Sequence, residues 1–400
     1  MNPSNYVIEV HDSMASIEKT QWNQLLLSNS VPTPFLRYEY LNAMHESVSA
    51  VSQTGWTPKY VTLGVEGKML AACPLYLKSH SYGEYVFDWA WAQAYQRHGL
   101  HYYPKALIAS PFSPVPGSRL LALDPTHRVA LLKSVLDLCL EWGVSSLHML
   151  YASLEDMDAA EQCHMLQRQT IQFHWSNSDV NGQAFESFDG FLNSMNQEKR
   201  KKIKQERKKV FEAQVHFKTF EGQDIQEEQW AFFYRCYEQT YLEHGNAPYI
   251  TREFFQSMHH EMPENWVMFI AYRMDRPIAC SLIALQRSES HQPMVAYGRY
   301  WGALERVDCL HFEACYYQPL EWCIAHGVAR FEGGAQGEHK MARALLPVKT
   351  HSAHWLAHPS FAKAVDEFLA QEGQNVEHYL EHLQERSPLK TPDLNHVKTP

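Results

Sequence analysis

The densest group of candidate ligand-binding side chains is a basic run, KRKKIKQERKK, at residues 199–209. It contains eight cations and one glutamate within eleven residues. At helical spacing Ile203 and Val210 can face a core while the cations spread over the outer face, which predicts an amphipathic helix. Lys and Arg neutralise phosphate charge, so Arg200 and Lys204 are candidates to bind a phosphate-bearing substrate. The alternative is an ordinary solvated helix face.

A second group of candidates follows two predicted strands in the last third of the chain. Glu332 ends the strand of ARFEGG, whose glycines would let backbone approach a ligand closely. A carboxylate at such a place can act as a general base, and the alternative is a structural ion pair. Tyr297, Arg299 and Tyr300 lie along one strand. Strict alternation would put Tyr297 and Arg299 on one face, as a substrate contact and a catalytic cation in a cleft.

The spacing of histidines and cysteines does not predict a metal site. His351, His354 and His358 follow H-x-x-H-x-x-x-H, but THSAHWLA is typical of a strand, where positions 351 and 354 point to opposite sides. The eight cysteines contain no C-x-x-C pair and lie mostly in apolar runs, so neither a zinc ribbon nor a disulfide framework is expected. Cys315 and Cys323 are predicted to be core residues rather than nucleophiles.

Length, charge and hydropathy limit the class of protein. A chain of 400 residues exceeds the size at which one core stops growing, which predicts two domains. The formal net charge of −10 argues against a surface that coats nucleic acid, although it leaves room for a local basic patch. No apolar stretch is long enough to cross a bilayer, and the first residues lack the pattern of a signal peptide. We therefore expect a cytoplasmic protein with no transmembrane segment.

The elements that must position these residues occur twice. A strand pair with an A-C step is followed by a Trp-bearing helix ending in G-V and another strand, once from Pro58 and again from Trp266. A repeat of this kind predicts a duplicated domain. We expect an N-terminal domain at residues 1–178, a C-terminal domain at 179–386 and a disordered tail at 387–400. Each domain is predicted to be α+β, with a mixed, mostly antiparallel sheet flanked by helices.

The two copies differ in length at one place. The interval from the shared Cys to the shared Gly is 70 positions in the first copy and 47 in the second, an excess that residues 81–103 can supply. Polar and aromatic residues in an insertion beside a cleft can define a binding pocket. His98 and Tyr103, which lie in this insertion, are candidate substrate contacts.

The order of elements is that of the GNAT acyltransferase fold, and two such units in one chain resemble the Fem-type peptidyl transferases. More specifically, the chain resembles the FemAB-like family of peptidoglycan biosynthesis or recognition proteins. The resemblance covers nearly the whole chain and is carried by HGLHYYPKALIASPFSPVPGSRLL, FLNSMNQEKRKKIKQERKKV, YLEHGNAPYITREFFQ, YGRYWG and FEGGAQGEHK, which begin at residues 98, 191, 241, 297 and 331. It implies two tandem GNAT-like domains that transfer an acyl or aminoacyl group to an amine acceptor, such as a peptidoglycan precursor.

The resemblance also implies a catalytic lysine and a choice of donor. Lys340 matches by position a lysine that the Fem-like pattern carries after its Gly-Gly turn, with Lys349 as the alternative alignment. A cation there could offset the developing oxyanion. The glycine-rich turn that binds the coenzyme A pyrophosphate in GNAT enzymes has no counterpart in the second copy. In the first copy SPVPGSRLL supplies a half match, which makes Arg119 a candidate substrate contact.

Three functions are therefore compatible with the sequence. An aminoacyl-tRNA donor, with the tRNA acceptor end near the basic helix, fits the second copy better than acyl-CoA does. A coenzyme A-dependent N-acetyltransferase that uses the first copy is a second hypothesis. The third is a recognition module that binds a peptide or nucleotide-linked precursor and performs no chemistry.

Overall fold

The computed structural model of the protein describes residues 6–287, 292–335 and 337–390. The elements of roughly the first half include the strands and the helix of the first copy, together with a helix in the insertion. In chain order they are β1 (Val7–His11), α1 (Lys19–Leu27), α2 (Tyr38–Glu46), β2 (Trp56–Pro58), β3 (Tyr60–Val65), β4 (Lys68–Cys73), β5 (Leu75–Lys78), α3 (Trp89–Arg97), β6 (Lys105–Ile108), β7 (Leu121–Ala122), α4 (Pro125–Glu141), β8 (Ser146–Ala152), α5 (Leu154–Gln162) and β9 (Leu166–Ser176).

The remaining elements include a π-helical turn at Glu313–Tyr317 and a 3-10 turn at Glu338–Arg343. The helices and strands are α6 (Phe188–Ser194), α7 (Gln197–Glu212), β10 (Val215–Glu221), α8 (Glu227–Glu243), α9 (Arg252–Glu261), β11 (Trp266–Arg273), β12 (Arg276–Gln286), β13 (Val295–Ala303), α10 (Leu310–Phe312), α11 (Gln318–Ala325), β14 (Arg330–Glu332), β15 (Leu346–Leu356) and α12 (Pro359–Glu385).

The described residues form two compact units, each built from separate chain segments. The first unit contains the residues up to 171 together with 249–262 and 349–379, and the second contains 172–248, 263–348 and those from 380 onward. Strands β9 and β15 each contribute residues to both units. The domain boundary at residue 178 stays a prediction.

The tail predicted to be disordered begins with residues that carry hydrogen bonds. Asn196 donates its backbone N–H to the carbonyl of Pro388, and Lys390 donates to that of Ser194. Leu389 forms an isolated antiparallel bridge with Met195. Residues 391–400 of that prediction lie outside the described residues.

In the first unit, strands pair in the orders β1-β3-β4-β7 and β2-β5-β6-β8-β15. All of these pairs are antiparallel except β6 with β8, which is parallel, as expected where a helix connects two strands. Gly67 has a φ of 78° in the tight turn between β3 and β4, a conformation that glycine adopts without steric cost. Helix α9 packs on α2, where the rings of Tyr40 and Phe254 are 5.2 Å apart.

In the second unit, strands pair in the order β10-β11-β12-β13-β14-β9. Their apolar residues form long runs, and β11 buries Trp266 to Ala271 without interruption. Helix α8 packs closely on β13, since a Cβ added to Gly302 would lie 1.9 Å from the carbonyl oxygen of Cys236. This close packing fixes the strand that carries Tyr297 and Arg299.

Candidate active site

The parallel strands β13 and β14 separate at the point where the candidate residues lie. They pair only from Val295 to Tyr297 and from Arg330 to Glu332; β14 then ends, while β13 continues along β12 to Ala303. A cavity of about 150 Å³ lies at this separation. Its lining residues are Ser281, Leu282, Ile283, Gly298, Arg299, Tyr300, Trp301, His311, Cys315, Tyr316, Phe331 and Gly333.

A β-bulge in β13 directs Arg299 to the cavity. Leu282 pairs with Tyr300 and Ile283 with Gly298, so Arg299 is an extra residue between two paired positions. Bulges break the alternation of side chains and re-aim one of them. The predicted alternation is therefore wrong here, because Arg299 and Tyr300 both line the cavity, whereas Tyr297 is buried beside it. The Arg299 guanidinium lies 5.0 Å from the centroid of the Tyr300 ring.

Glu332 is buried where the two strands separate. Its Oε1 atom is 2.8 Å from a guanidinium nitrogen of Arg330. This contact is the structural ion pair that was the alternative to a general-base role for Glu332. Its Oε2 atom lies 3.9 Å from Nε2 of His174. Burial, aided by the cations Arg330 and Lys340, lowers the pKa of His174 to about 3, so this imidazole is neutral near pH 7. His174 was not found from the sequence, where nothing distinguishes it from other strand residues.

Lys340 lies on the 3-10 turn that follows the cavity-lining Gly333. Its ammonium donates to the carbonyl oxygen of Gly334 at 3.2 Å, and burial lowers its pKa to about 8. A Cβ added to Gly333 would lie 3.1 Å from Cδ of Lys340, so the lysine stem packs directly on this glycine. The alternative residue, Lys349, pairs with Glu377 in the first unit. The second unit thus holds Tyr297, Arg299, Glu332 and Lys340 together.

Part of the cavity lining comes from α10 and the π-helical turn. It carries His311, Cys315 and Tyr316. Burial lowers the pKa of His311 to about 4 and raises that of the Cys315 thiol, which keeps the sulfur protonated and weakly nucleophilic. Cys323 is a core residue as predicted, whereas Cys315 lines the cavity. Single π turns within helices are frequent at functional sites.

The basic run forms helix α7, with Ile203 and Val210 buried as predicted. Lys204 is exposed, and Arg200 donates to the Asn193 side chain at 3.4 Å. The outer face is interrupted by Arg207, whose guanidinium pairs with Glu313 and Glu321. A cationic face therefore exists, but it is smaller than the sequence suggests.

Arg119 of the first unit is buried among backbone carbonyls. Its Nε donates to the carbonyl of Leu150 at 2.8 Å, and its terminal nitrogens donate to those of Gly117 and Val115. Gly117 itself forms a bridge with Ala152. The N-terminus of the next helix, α4, is occupied by its own cap, Asp124. These contacts hold a loop of the first unit in place.

His98 and Tyr103 lie at different points of the insertion. His98 is exposed at the end of α3, where Nδ1 is 2.8 Å from the carbonyl oxygen of Ala94. The Tyr103 hydroxyl is 2.8 Å from the Ser81 hydroxyl, and its ring lies 5.9 Å from the ammonium of the buried Lys105. The structure therefore gives these two predicted contacts separate surroundings in the first unit.

Two observations concern metals and membranes. Among residues 6–287, 292–335 and 337–390, no three His, Cys, Asp or Glu side chains are placed to hold a metal ion. Within the same residues, no helix combines the length and apolarity needed to cross a bilayer.

The described residues have the α+β architecture expected of a tandem GNAT-like protein. The model of the FemAB-like family, described as peptidoglycan biosynthesis/recognition, matches residues 13–391. Because this match covers most of the chain, the protein belongs to the FemAB-like family. No curated protein matches the chain.

One solved structure supports the fold, and two others are similar to the chain at lower scores. The crystal structure of FemX is similar with a TM-score of 0.52 and 10% identity, covering 88% of this chain and 98% of that one. A tandem GNAT protein from the clavulanic acid biosynthesis pathway aligns at a TM-score of 0.44 and 10% identity, covering 89% and 99%. The L-PGS of Bacillus licheniformis is similar with a TM-score of 0.47 and 8% identity, covering 82% of this chain and 95% of that one. At these identities the likeness to FemX concerns the fold alone.

Proposed function

We propose that the protein forms an amide by transferring an acyl or aminoacyl group to an amine of a peptidoglycan precursor. The family supports a Fem-like, peptidoglycan-related transferase. The observation that carries the finer proposal is the cavity where β13 and β14 separate, with the bulged Arg299 in its wall and Glu332 and Lys340 beside it. The proposed compartment is the cytoplasm.

The proposed reaction assigns one role to each charged side chain. The acceptor amine attacks the donor carbonyl, a C–N bond forms, and the bond to the donor oxygen or sulfur breaks. Glu332 receives the proton that the amine loses and passes it to the oxygen or sulfur of the leaving group as that group departs. Arg299 and the protonated Lys340 offset the negative charge of the tetrahedral intermediate. Tyr297 would support Glu332 from the paired position on β13.

Two features favour aminoacyl-tRNA over acyl-CoA as the donor. Helix α10 begins at Leu310, after the N-cap Cys309, without a glycine-rich turn, and the Asp124 cap places a carboxylate where α4 would have to bind a pyrophosphate. The outward-facing cations of α7, including the half-buried Arg200 and the exposed Lys204, would bind phosphates of the tRNA acceptor end or of a nucleotide-linked acceptor. Arg119 is not proposed as a substrate contact, because backbone carbonyls enclose its guanidinium. His98 and Tyr103 remain proposed acceptor contacts.

The test is a transfer assay with the full chain. Radiolabelled aminoacyl-tRNAs, and separately acetyl-CoA, are supplied with a nucleotide-linked peptidoglycan precursor peptide, and labelled product is separated by chromatography. We expect transfer from aminoacyl-tRNA, reduced about 100-fold or more by Arg299→Gln, Glu332→Gln or Lys340→Met. Lys349→Met is the matched control and should keep wild-type activity, because the Lys349 ammonium pairs with Glu377 and is assigned no role in the reaction.

The assay also separates the proposal from the alternatives. Transfer from acetyl-CoA alone would overturn the choice of donor. Binding of the precursor without transfer from either donor would favour a recognition module, a role that the family description includes.

A further inference from the structure

Glu206 is the one acid in the basic run of residues 199–209, and it points into the second unit rather than to solvent. It is buried on the same side of α7 as Ile203 and Val210. An ionised carboxylate is costly to bury unless hydrogen bonds and an opposite charge compensate it. The hydrogen-bond partners of Glu206 therefore show which residues the buried side of α7 anchors.

The partners are Arg343 and Tyr317. One terminal nitrogen of Arg343 donates to both carboxylate oxygens of Glu206, at 3.0 and 2.8 Å. The Tyr317 hydroxyl also donates to Glu206 and accepts from Nε of Arg343 at 3.2 Å. The Arg343 guanidinium lies 3.7 Å from the centroid of the Phe312 ring. The three polar side chains thus form a closed, buried cluster, to which we give the name Glu206 cluster.

The Glu206 cluster holds the turn that carries Lys340. Arg343 is the last residue of the 3-10 turn Glu338–Arg343, and its Nη1 atom donates to the carbonyl oxygen of His339 at 3.0 Å. The residues on either side of the turn have positive φ angles, 123° at Gly337 and 60° at Ala344. A non-glycine residue in the left-handed region persists only where its surroundings hold it. Arg343 provides that restraint from within the turn.

We propose that Glu206 and Arg343 are positioning residues that fix the turn and thereby hold Lys340 in its buried place beside the cavity. The carboxylate of the basic helix anchors the guanidinium, the guanidinium anchors the turn, and the turn places the lysine stem on Gly333. The relevance to catalysis rests on the proposed function, but the positioning itself does not.

The ionisation of Lys340 reports its position. Burial lowers its pKa to about 8 from an ordinary value of 10.5, so a turn that releases the side chain to water must raise the pKa. The titratable groups that interact with Lys340 from other elements are Cys315, His311 and His174, and His339 and Arg343 share its turn. None of these is altered in Glu206→Gln, which makes that variant a specific probe.

The test is pH-dependent labelling of the full chain with acetic anhydride, with modification of Lys340 measured by peptide mass spectrometry. We expect half-maximal labelling near pH 8 in the wild type and a midpoint at least about one pH unit higher in Glu206→Gln. Glu212→Gln is the matched control, since Glu212 lies on the same helix in an exposed pair with Lys208. The control should keep the wild-type midpoint.

A second variant covers the case in which Glu206→Gln does not fold. Glu206→Leu combined with Arg343→Met removes both partners and leaves no unpaired buried charge. A raised midpoint in either folded protein supports the proposal, and an unchanged midpoint in a folded variant overturns it. If the wild type transfers no acyl group, the labelling result still decides the positioning role. If it does, we expect Glu206→Gln to lower kcat with KM nearly unchanged.

Discussion

Lys78 and Lys105 face each other directly across the antiparallel strands β5 and β6, and both side chains are fully buried. Two acids of the insertion compensate them: Glu84 lies 2.7 Å from the Lys105 ammonium and 3.9 Å from that of Lys78, and Asp88 bonds to Lys105. Lys78 also lies 3.6 Å from the Trp56 ring centroid. The insertion is thus held to the first unit by buried ion pairs.

The first prediction concerns the contribution of these buried lysines and acids to stability. Burial lowers the pKa of Lys78 to about 7 and raises that of Glu84 to about 7, so neither charge is held strongly. Glu84→Gln should lower the free energy of unfolding by about 1–3 kcal/mol, because the buried Lys78 and Lys105 lose an acidic partner while Asp88 still pairs with Lys105. Adding Lys78→Met should recover much of the loss. Urea unfolding followed by tryptophan fluorescence measures both, with the exposed Glu141→Gln as control. An equal loss in the double variant would contradict the ion-pair explanation.

The second prediction concerns activity at alkaline pH. If Lys340 acts as a cation, the transfer rate should fall as pH rises through about 8, where its buried ammonium loses the proton. Lys340→Arg keeps the charge and should move this decline to higher pH. The measurement is kcat/KM from pH 6 to about 10. A rate that instead increases through this range would assign Lys340 the role of a base.

The third prediction concerns stability in acid. Nδ1 of His148 and Nδ1 of His354 are 2.7 Å apart, a contact in which one imidazole must donate and the other accept. Burial lowers the pKa of His148 to about 3 and that of His354 well below its ordinary value of 6.5. The unfolded chain therefore binds more protons between about pH 6.5 and 3, so stability is lost as pH falls through this range.

His354→Gln should reduce that loss by about 1 kcal/mol per pH unit below 6.5. Denaturant midpoints at pH 5 and 7 measure it, and His98→Gln, at an exposed position, serves as the control. His174 and His311 also have pKa values lowered by burial, so part of the acid sensitivity should remain. An acid sensitivity identical to that of the wild type would rule out the His148–His354 contact as a contributor.

The fourth prediction compares two glycines. Gly302→Ala would place a Cβ 1.9 Å from the Cys236 carbonyl, so α8 must move away from β13 and the midpoint of unfolding should fall strongly. Gly373 lies in α12 with no atom within 4 Å of an added Cβ. Gly373→Ala should therefore be neutral or stabilise by up to about 1 kcal/mol. Thermal unfolding of both variants tests this contrast. Similar shifts of the unfolding midpoint in the two variants would contradict the prediction.

Local signals in the sequence identified much of the fold. The repeated strand pair located β11 and β12, the G-V step marked the end of α4, where Gly143 has a positive φ, and helical spacing identified Ile203 and Val210 as buried. These features depend on residues close together in the chain. The long helix α12 and helix α3 of the insertion were not predicted, although both carry apolar residues at helical spacing.

The site was less accessible to prediction because it depends on distant partners. Strand alternation could not reveal the bulge at Arg299, which exists only in the register with β12. Glu206 and Arg343 are 137 positions apart, and only the presence of one acid among eight cations hinted at the first of them. The buried pairing of Lys78 with Lys105 contradicts the general rule that lysines are exposed, and its compensating acids come from the insertion.

The segmented composition of the first unit has a consequence for synthesis on the ribosome. Trp91 and Tyr95 of α3 pack with Leu356, Val365 and Leu369, which are translated more than 250 positions later. Chains usually fold domain by domain from the N-terminus as they emerge. Here the aromatic surface of α3 stays uncovered during translation until residues 356–369 have been made, and chaperone binding to the nascent chain should concentrate on that surface.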